Sequence, residues 1–498
     1  MVPEVFPIEF SLIKKAERSV QHMRKVSVPE SPEQITVRHE KENAELERRL
    51  KEREKPRHRA YFAVLMFTLL VVYCIDEITT NVSGVIQSPA LFDLFQITSR
   101  DVHDPMYAKG IDILALVGTL GSVITLAAPF YKSLADRFGR RPFLILNTGF
   151  FAVSLLVIAF APNITVFALG YAFSLLFTPN DVQVMYILET APKKHRAKIA
   201  TIMKAVAILS LSLMGLLRTA FYNPDDMGWW RLVVGVPTVI AVAATLLALF
   251  LVKETPVFTN QRIEYLRLSD EERRKKAEKE KEKESAEQGG VINSIRFIKS
   301  HKQTRAIVIV ALLFSISSVY TMYYESIMAG GLSTEAVSLA VTVYPLAYAP
   351  ITLLSGFVAD RFGRKVSSVG LGVTTVVMLA LFILSIKLGW GAVLTGLFYG
   401  ASLGGLWSAY DTIFFTITAE SVPTRIRSSV MGTMNLLLII GTVLGMGIVV
   451  LAQNFVDLGW ICFAVCVPFM AISMVLLITR IHETKDVDMD RVTGTEWD

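Results

Sequence analysis

Cysteine is scarce in this chain of 498 residues: there are three, Cys74, Cys462 and Cys466, and all lie in apolar runs. Their spacing suits neither a zinc ribbon nor a secreted disulfide framework. Charge is thin over most of the length. Of 94 charged residues, 48 fall in residues 1–59 and 253–303, leaving 46 for the other 388. Each of those two segments nets +3, which accounts for the formal +6. A soluble globular enzyme, a disordered scaffold and a general nucleic-acid binder are excluded on these grounds. No Walker-type phosphate loop is present, which argues against ATP-driven pumping. No nucleophile or metal constellation appears, so neither an enzyme nor a metal site is expected. No cleavable signal peptide is visible, because the N-terminus opens on a long polar tail.

What is present is apolar length. The chain is 52% hydrophobic, with a mean hydropathy of +0.48. That suffices for about a dozen spans at ~20 residues each. Twelve apolar segments are predicted to be helical spans 1–12, at 60–86, 111–131, 142–161, 164–187, 197–221, 231–252, 304–329, 336–358, 366–387, 390–418, 428–453 and 459–480. Each can cross ~30 Å of hydrocarbon as a helix. Pro179, Pro237, Pro345, Pro350 and Pro468 fall inside them, as membrane helices tolerate.

One alternate set of loops is rich in Lys and Arg: Lys132, Arg137, Arg140 and Arg141; Lys193, Lys194, Arg196 and Lys198; Arg361, Arg364 and Lys365; Arg425 and Arg427. The positive-inside rule places this set, and with it both termini, in the cytoplasm. The expected organisation is then a cytoplasmic tail (1–59), a six-helix bundle (60–252), a cytoplasmic linker (253–303), a second six-helix bundle (304–480) and a C-terminal tail (481–498). The linker stretch EERRKKAEKEKEKE reads as a solvated helix of close opposite-charge pairs. In the tail, Arg57 and Arg59 sit where a membrane-flanking anchor would.

The halves repeat each other. LADRFGRRP after span 2 (Asp136, Arg137, Gly139, Arg140, Arg141) matches VADRFGRKV after span 8 (Asp360, Arg361, Gly363, Arg364, Lys365). ETAPKKHR after span 4 (Glu189, Arg196) matches ESVPTRIR after span 10 (Glu420, Arg427). KETP after span 6 (Glu254, Thr255) matches HETK after span 12 (Glu483, Thr484). Offsets of 224, 231 and 229 residues, in the same order, indicate duplication. An acid at one helix end can bond the free N–H groups of another, or pair with the Arg of a neighbouring loop. Such clusters are expected to act as gates, locking helix ends in one conformation and releasing them in the other.

The duplicated DRxGRR/K loop and the 6+6 plan resemble the major facilitator superfamily, over about residues 60–485. The E-x-x-P-x-x-x-R loops, Gly228–Trp229–Trp230–Arg231, the KETP and ETK sites and Tyr323–Tyr324 resemble its sugar-porter branch and organic-ion relatives. Lys132 departs from the family glycine that opens the first loop. The resemblance implies an all-α membrane protein: twelve helices in two pseudo-symmetric bundles that rock about a central site.

Ionisable residues inside spans are candidates for that site. Asp76 and Glu77 lie in span 1, and the family favours Asp76 as a proton-coupling acid. The family's usual partner Arg falls on Leu169. Lys204 in span 5 falls where sugar porters resemble one another in a sugar-holding Gln. Further family amide positions fall on Leu313, Phe314 and Val319. A cation without those amides suggests an anionic substrate, its counter-charge being that substrate or Asp76; the structural alternatives are snorkelling to the cytoplasmic face or a fixed ion pair. Asn180 and Asp411 are repeat-equivalent, nine residues before Glu189 and Glu420. Tyr320, Tyr323, Tyr324 and Glu325 in span 7, and Trp407 and Tyr410 in span 10, are further candidates. Arg218 is expected to anchor the outer end of span 5. Span 5 lacks the Gly-Pro motif of drug antiporters, and Asn163-Ile-Thr165 is a chance sequon in a very short loop.

The expected function is secondary transport, by proton symport, of an organic acid or related metabolite. A sugar:proton symporter or sugar facilitator is the alternative, followed by an efflux antiporter or a non-transporting nutrient sensor. No cofactor is expected beyond a proton gradient. The expected partners are a small solute and the bilayer of the cell membrane, without nucleic acid, and the chain is expected to be monomeric.

Overall fold

A computed structural model describes residues 40–45, 47–48, 58–124, 138–177, 182–192, 196–268, 272, 275, 290–423, 426–452, 456–485 and 487. Lys132, Asp136, Arg137, Pro179, Asn180, Lys193, Lys194 and Arg425, like most of both charged segments, lie outside the described residues.

Among the described residues there is no strand, and nine helices are long and apolar enough to cross a membrane. They supply span 1 (His58–Val85), span 3 (Arg140–Ala159), span 5 (Lys198–Phe221), span 6 (Met227–Leu251) and span 7 (Lys302–Met322). They also supply span 8 (Thr334–Phe362), span 9 (Arg364–Lys387), span 11 (Ser429–Ala452) and span 12 (Leu458–Arg480). The other three expected spans are helical as well. Span 2 starts as Pro105–Ile124, span 4 is Ile164–Phe177 followed by Val182–Thr190, and span 10 is Ala392–Asp411 continued by Thr412–Ile417.

Prolines do not break these helices. Span 8 runs unbroken through Pro345 and Pro350, and span 12 through Pro468. Where the helical pattern changes, hydroxyl side chains bond backbone carbonyls within the helix. Ser317, Ser318 and Thr321 donate to Leu313, Ser315 and Ser318, and span 7 tightens there to a 3₁₀ turn at Ser318–Met322. Thr418 donates five residues back to Ile413, beside the π-helical turn of span 10. Ser210 donates to Ala207, between the two helical pieces of span 5, Arg196–Leu209 and Leu211–Phe221.

The first and second halves meet along spans 5 and 8 and along spans 2 and 11. Gly215 of span 5 faces the Thr342 backbone so closely that a Cβ would overlap it. Thr119 of span 2 donates to the Met446 sulfur of span 11 at 3.5 Å.

The chain divides into two compact units, and the spans belong to residues 59–258 and 277–498. The other unit joins residues 1–58 to 259–276. Within it, Arg262 pairs with Glu42 at 2.9 Å and Arg267 with Glu47 at 2.6 Å. Two linker charges thus pair with the tail, while the EERRKKAEKEKEKE stretch lies almost wholly outside the described residues.

Candidate functional site

The repeated loops build one device twice. Gly139 caps span 3 with φ 105° and Gly363 caps span 9 with φ 101°, a backbone region that side chains rarely adopt. With no Cβ at either position, a carboxylate reaches the N–H groups that the helix start leaves unpaired. Glu254 accepts from the backbone N–H of Arg140 and Arg141, both at 3.1 Å. Glu483 accepts from those of Arg364 at 2.8 Å and Lys365 at 3.1 Å. A Cβ on either glycine would collide with that carboxylate.

A second acid completes each clasp. Arg140 Nε meets Glu189 at 3.1 Å, and Glu189 also accepts from the Thr255 hydroxyl at 2.5 Å. Arg364 Nε meets Glu420 at 3.2 Å, and Glu420 accepts from the Thr484 hydroxyl at 2.5 Å. Arg141 and Lys365 donate to the last-turn carbonyls of Leu249 and Ile478. The acids that cap the helix starts are therefore Glu254 and Glu483, while Glu189 and Glu420 hold the arginines. Asp360 pairs with Arg364 at 3.0 Å on an exposed turn. Arg361 stacks on Phe362, and Arg427 Nε donates to the Val422 carbonyl that precedes span 11. Arg196 starts the first helix of span 5. These bonds run within a half, tying spans 3, 4 and 6, or 9, 10 and 12. They hold the helix ends of each half together.

Inside the spans, Asp76 is buried and accepts from Gln183 of span 4 at 2.6 Å. Gln183 was not legible as a partner, since nothing in the sequence aligns it with Asp76. Leu169, where the family places its Arg, is 61% exposed. Glu77 lies within electrostatic reach of Tyr344 and Tyr348 of span 8.

Lys204 does not take Asp76 as its counter-charge. It pairs with Asp411 of span 10 at 3.0 Å, across the two halves. The pair lines a cavity of ≈ 410 Å³ that reaches to Asp360 and Arg364 at the motif end. Its other polar walls are the hydroxyls of Ser355, Ser408, Thr412 and Thr416, with Phe415 beside them. A second cavity, of ≈ 150 Å³, lies on another side of span 10. Trp407 and Tyr410 line it with Asn435, Ser315, Ser318 and Thr442. Asn435 and these hydroxyls went unnoticed in the sequence because single Ser, Thr and Asn residues are common inside spans.

The span 7 tyrosines are core rather than cavity wall. Tyr320, Tyr323 and Tyr324 are buried, Tyr320 bonds Ser402 at 2.8 Å, and Tyr324 stacks on Tyr399 with centroids 4.5 Å apart. Arg218 corrects another expectation. It is no surface anchor: it is buried and paired with Glu325 at 2.9 Å, both side chains being 1% exposed. Among the described residues, no group of three or more His, Cys, Asp or Glu is placed to hold a metal.

The sequence profile of the Major Facilitator Superfamily matches residues 69–333 and 306–490. The chain belongs to the major facilitator superfamily. It is 23% identical over 425 residues to the glucose transporter GlcP of Staphylococcus epidermidis, covering 82% of this chain and 92% of that protein. Among solved structures, the inward-open xylose transporter XylE of E. coli matches with a TM-score of 0.63 at 15% identity, over 88% of this chain and 100% of that one. The proton:xylose symporter XylE bound to 6-bromo-6-deoxy-D-glucose matches with a TM-score of 0.58 at 14% identity, over the same shares. The facilitator fold of twelve helices in two pseudo-symmetric bundles is thereby shown, and the protein is a membrane transporter of this superfamily that is similar to sugar porters.

Proposed function

We propose that this transporter carries a neutral, polyhydroxylated solute of sugar size, in symport with protons. The observation that carries this is the Lys204–Asp411 pair. Lys204 argued for an anion only while its charge lacked an internal partner. With Asp411 at 3.0 Å the pair is neutral, and a substrate carboxylate would compete with Asp411 for the ammonium. The cavity walls carry alcohol groups; Ser355 and Thr412 already donate to the Thr352 and Ser408 carbonyls, so they are left to accept from a sugar hydroxyl. The names of the relatives, a glucose transporter and a proton:xylose symporter, support the same class.

Asp76 is the proposed proton carrier, buried in span 1 beside a neutral amide. The motif end is the proposed cytoplasmic face, on the Lys and Arg content of its loops. The tail and linker lie on that side, and the chain acts as a monomer in the cell membrane. Uptake into proteoliposomes under an imposed proton gradient tests this reading. Labelled glucose or xylose should accumulate, and an uncoupler should abolish the accumulation. Gradient-driven lactate or citrate uptake with no sugar uptake would overturn it in favour of an organic-acid symporter.

A further inference from the structure

The buried Arg218–Glu325 pair lies at the end of the spans opposite the motif loops and joins the two halves. Lys204 and Arg218 both point from span 5 into the second half. Fourteen residues separate them, about 21 Å of helix. The two inter-half pairs differ in setting: Lys204 and Asp411 are 34% and 39% exposed, whereas Arg218 and Glu325 are 1% exposed.

Around Arg218 and Glu325, bonds from both halves converge. The Arg218 guanidinium donates to the Val85 carbonyl of span 1 and, at 3.3 Å, to Ser338 of span 8. Glu325 accepts from the Ser88 backbone N–H at 2.8 Å. Next to it, Tyr107 of span 2 joins Ser88 and Ser326, at 2.9 and 2.6 Å, and Ser326 donates to Gln87 at 2.7 Å. Trp229 lies under the guanidinium, 5.7 Å from it. These bonds tie the two halves together at that end, which makes it the natural place for a gate between them.

We infer that Arg218 and Glu325 form the latch of this gate, paired when the gate is shut and parted, in water, when it opens. Each charge is then compensated in both states, by its partner or by solvent. Removing one charge leaves the other uncompensated only in the shut state, where its side chain is 1% exposed. A single neutralisation therefore raises the free energy of the shut state alone and shifts the population toward the open one. Neutralising both removes the imbalance. Amides at both positions can bond each other, the Val85 carbonyl and the Ser88 N–H. The inference rests on alternating access by the superfamily fold and on no particular solute.

The test uses no solute, so it fails or succeeds apart from the sugar reading. Arg218, Glu325 and Val337 line a cavity of ≈ 210 Å³ at this end, and Val337, 1% exposed, is replaced by cysteine as a reporter. A membrane-impermeant maleimide is applied to right-side-out vesicles, and labelling of the parent without the reporter is subtracted. Arg218→Gln and Glu325→Gln should each raise the labelling rate at least tenfold. Arg218→Gln/Glu325→Gln should return it to within about threefold of the parent. A second reporter, Phe415→Cys in the motif-end cavity, probed with the same reagent in inside-out vesicles, should lose labelling as the first gains it. Where a neutral single variant does not reach the membrane, Glu325→Asp carries the test: it keeps the charge, shortens the reach, and should raise labelling severalfold. Unchanged labelling in the single variants, or a double variant as open as the singles, overturns the latch and leaves the pair a fixed strut.

Discussion

Replacing Gly363 with alanine tests how the second clasp is built. Two costs act at this position. Its φ of 101° and ψ of 157° lie where a Cβ is strained, for about 1–3 kcal/mol. The new Cβ would also displace Glu483 from the N–H groups of Arg364 and Lys365. Charge-assisted bonds at a half-exposed helix start are each worth about 1 kcal/mol. The sum is a loss of about 3–5 kcal/mol. The two costs separate in a double-mutant cycle with Glu483→Ala. In that background the carboxylate is already gone, so Gly363→Ala should cost only the backbone share, about 2 kcal/mol. Unfolding by SDS in mixed detergent micelles, followed by circular dichroism, measures each corner of the cycle. Equal losses from Gly363→Ala with and without Glu483 would refute the idea that the glycine exists to admit the carboxylate. Gly139→Ala with Glu254→Ala should repeat the result, because the first half has the same geometry.

Three further predictions concern transport. Lys204→Gln or Asp411→Asn alone should raise the KM for sugar severalfold in vesicle uptake, while the double variant should lie nearer the parent; the half-exposed pair itself is worth at most about 1 kcal/mol of stability. Asp76→Asn should keep counterflow exchange of sugar but lose gradient-driven accumulation, and full accumulation in this variant would remove Asp76 as the proton carrier. Arg140→Lys keeps the charge but not the Nε contact to Glu189, so it should lower the apparent Tm in detergent by a few degrees without shifting KM.

The gate motifs show how far pattern reading reaches. Glu254 and Glu483 were visible as repeated residues because each half carries them at matched positions after its last span. Which acid meets which helix start was not visible. Asp136, Asp360, Glu189 and Glu420 repeat just as well, and only the glycine-capped geometry selects Glu254 and Glu483 for the N–H groups. The partner of Lys204 was hidden for a different reason. Asp411 is 207 residues away, and no local pattern links residues that meet only when two bundles pack face to face.

By itself the sequence determined the membrane class, the spans and the duplication. Burying apolar segments ~20 residues long in hydrocarbon leaves helix as the conformation that satisfies every backbone group within the segment. It also determined which loops carry the clasps, since repeated motifs at nearly constant offset mark equivalent helix ends. Tertiary structure alone decided the charge pairing, and with it the function favoured here. A cation in a span asks for a counter-charge, but its source depends on which helices face each other. For Lys204 that source is Asp411, in a cavity whose walls also hold Asp360, Arg364 and four hydroxyl residues. For Arg218 it is Glu325, which turns an expected surface anchor into a buried link between the halves.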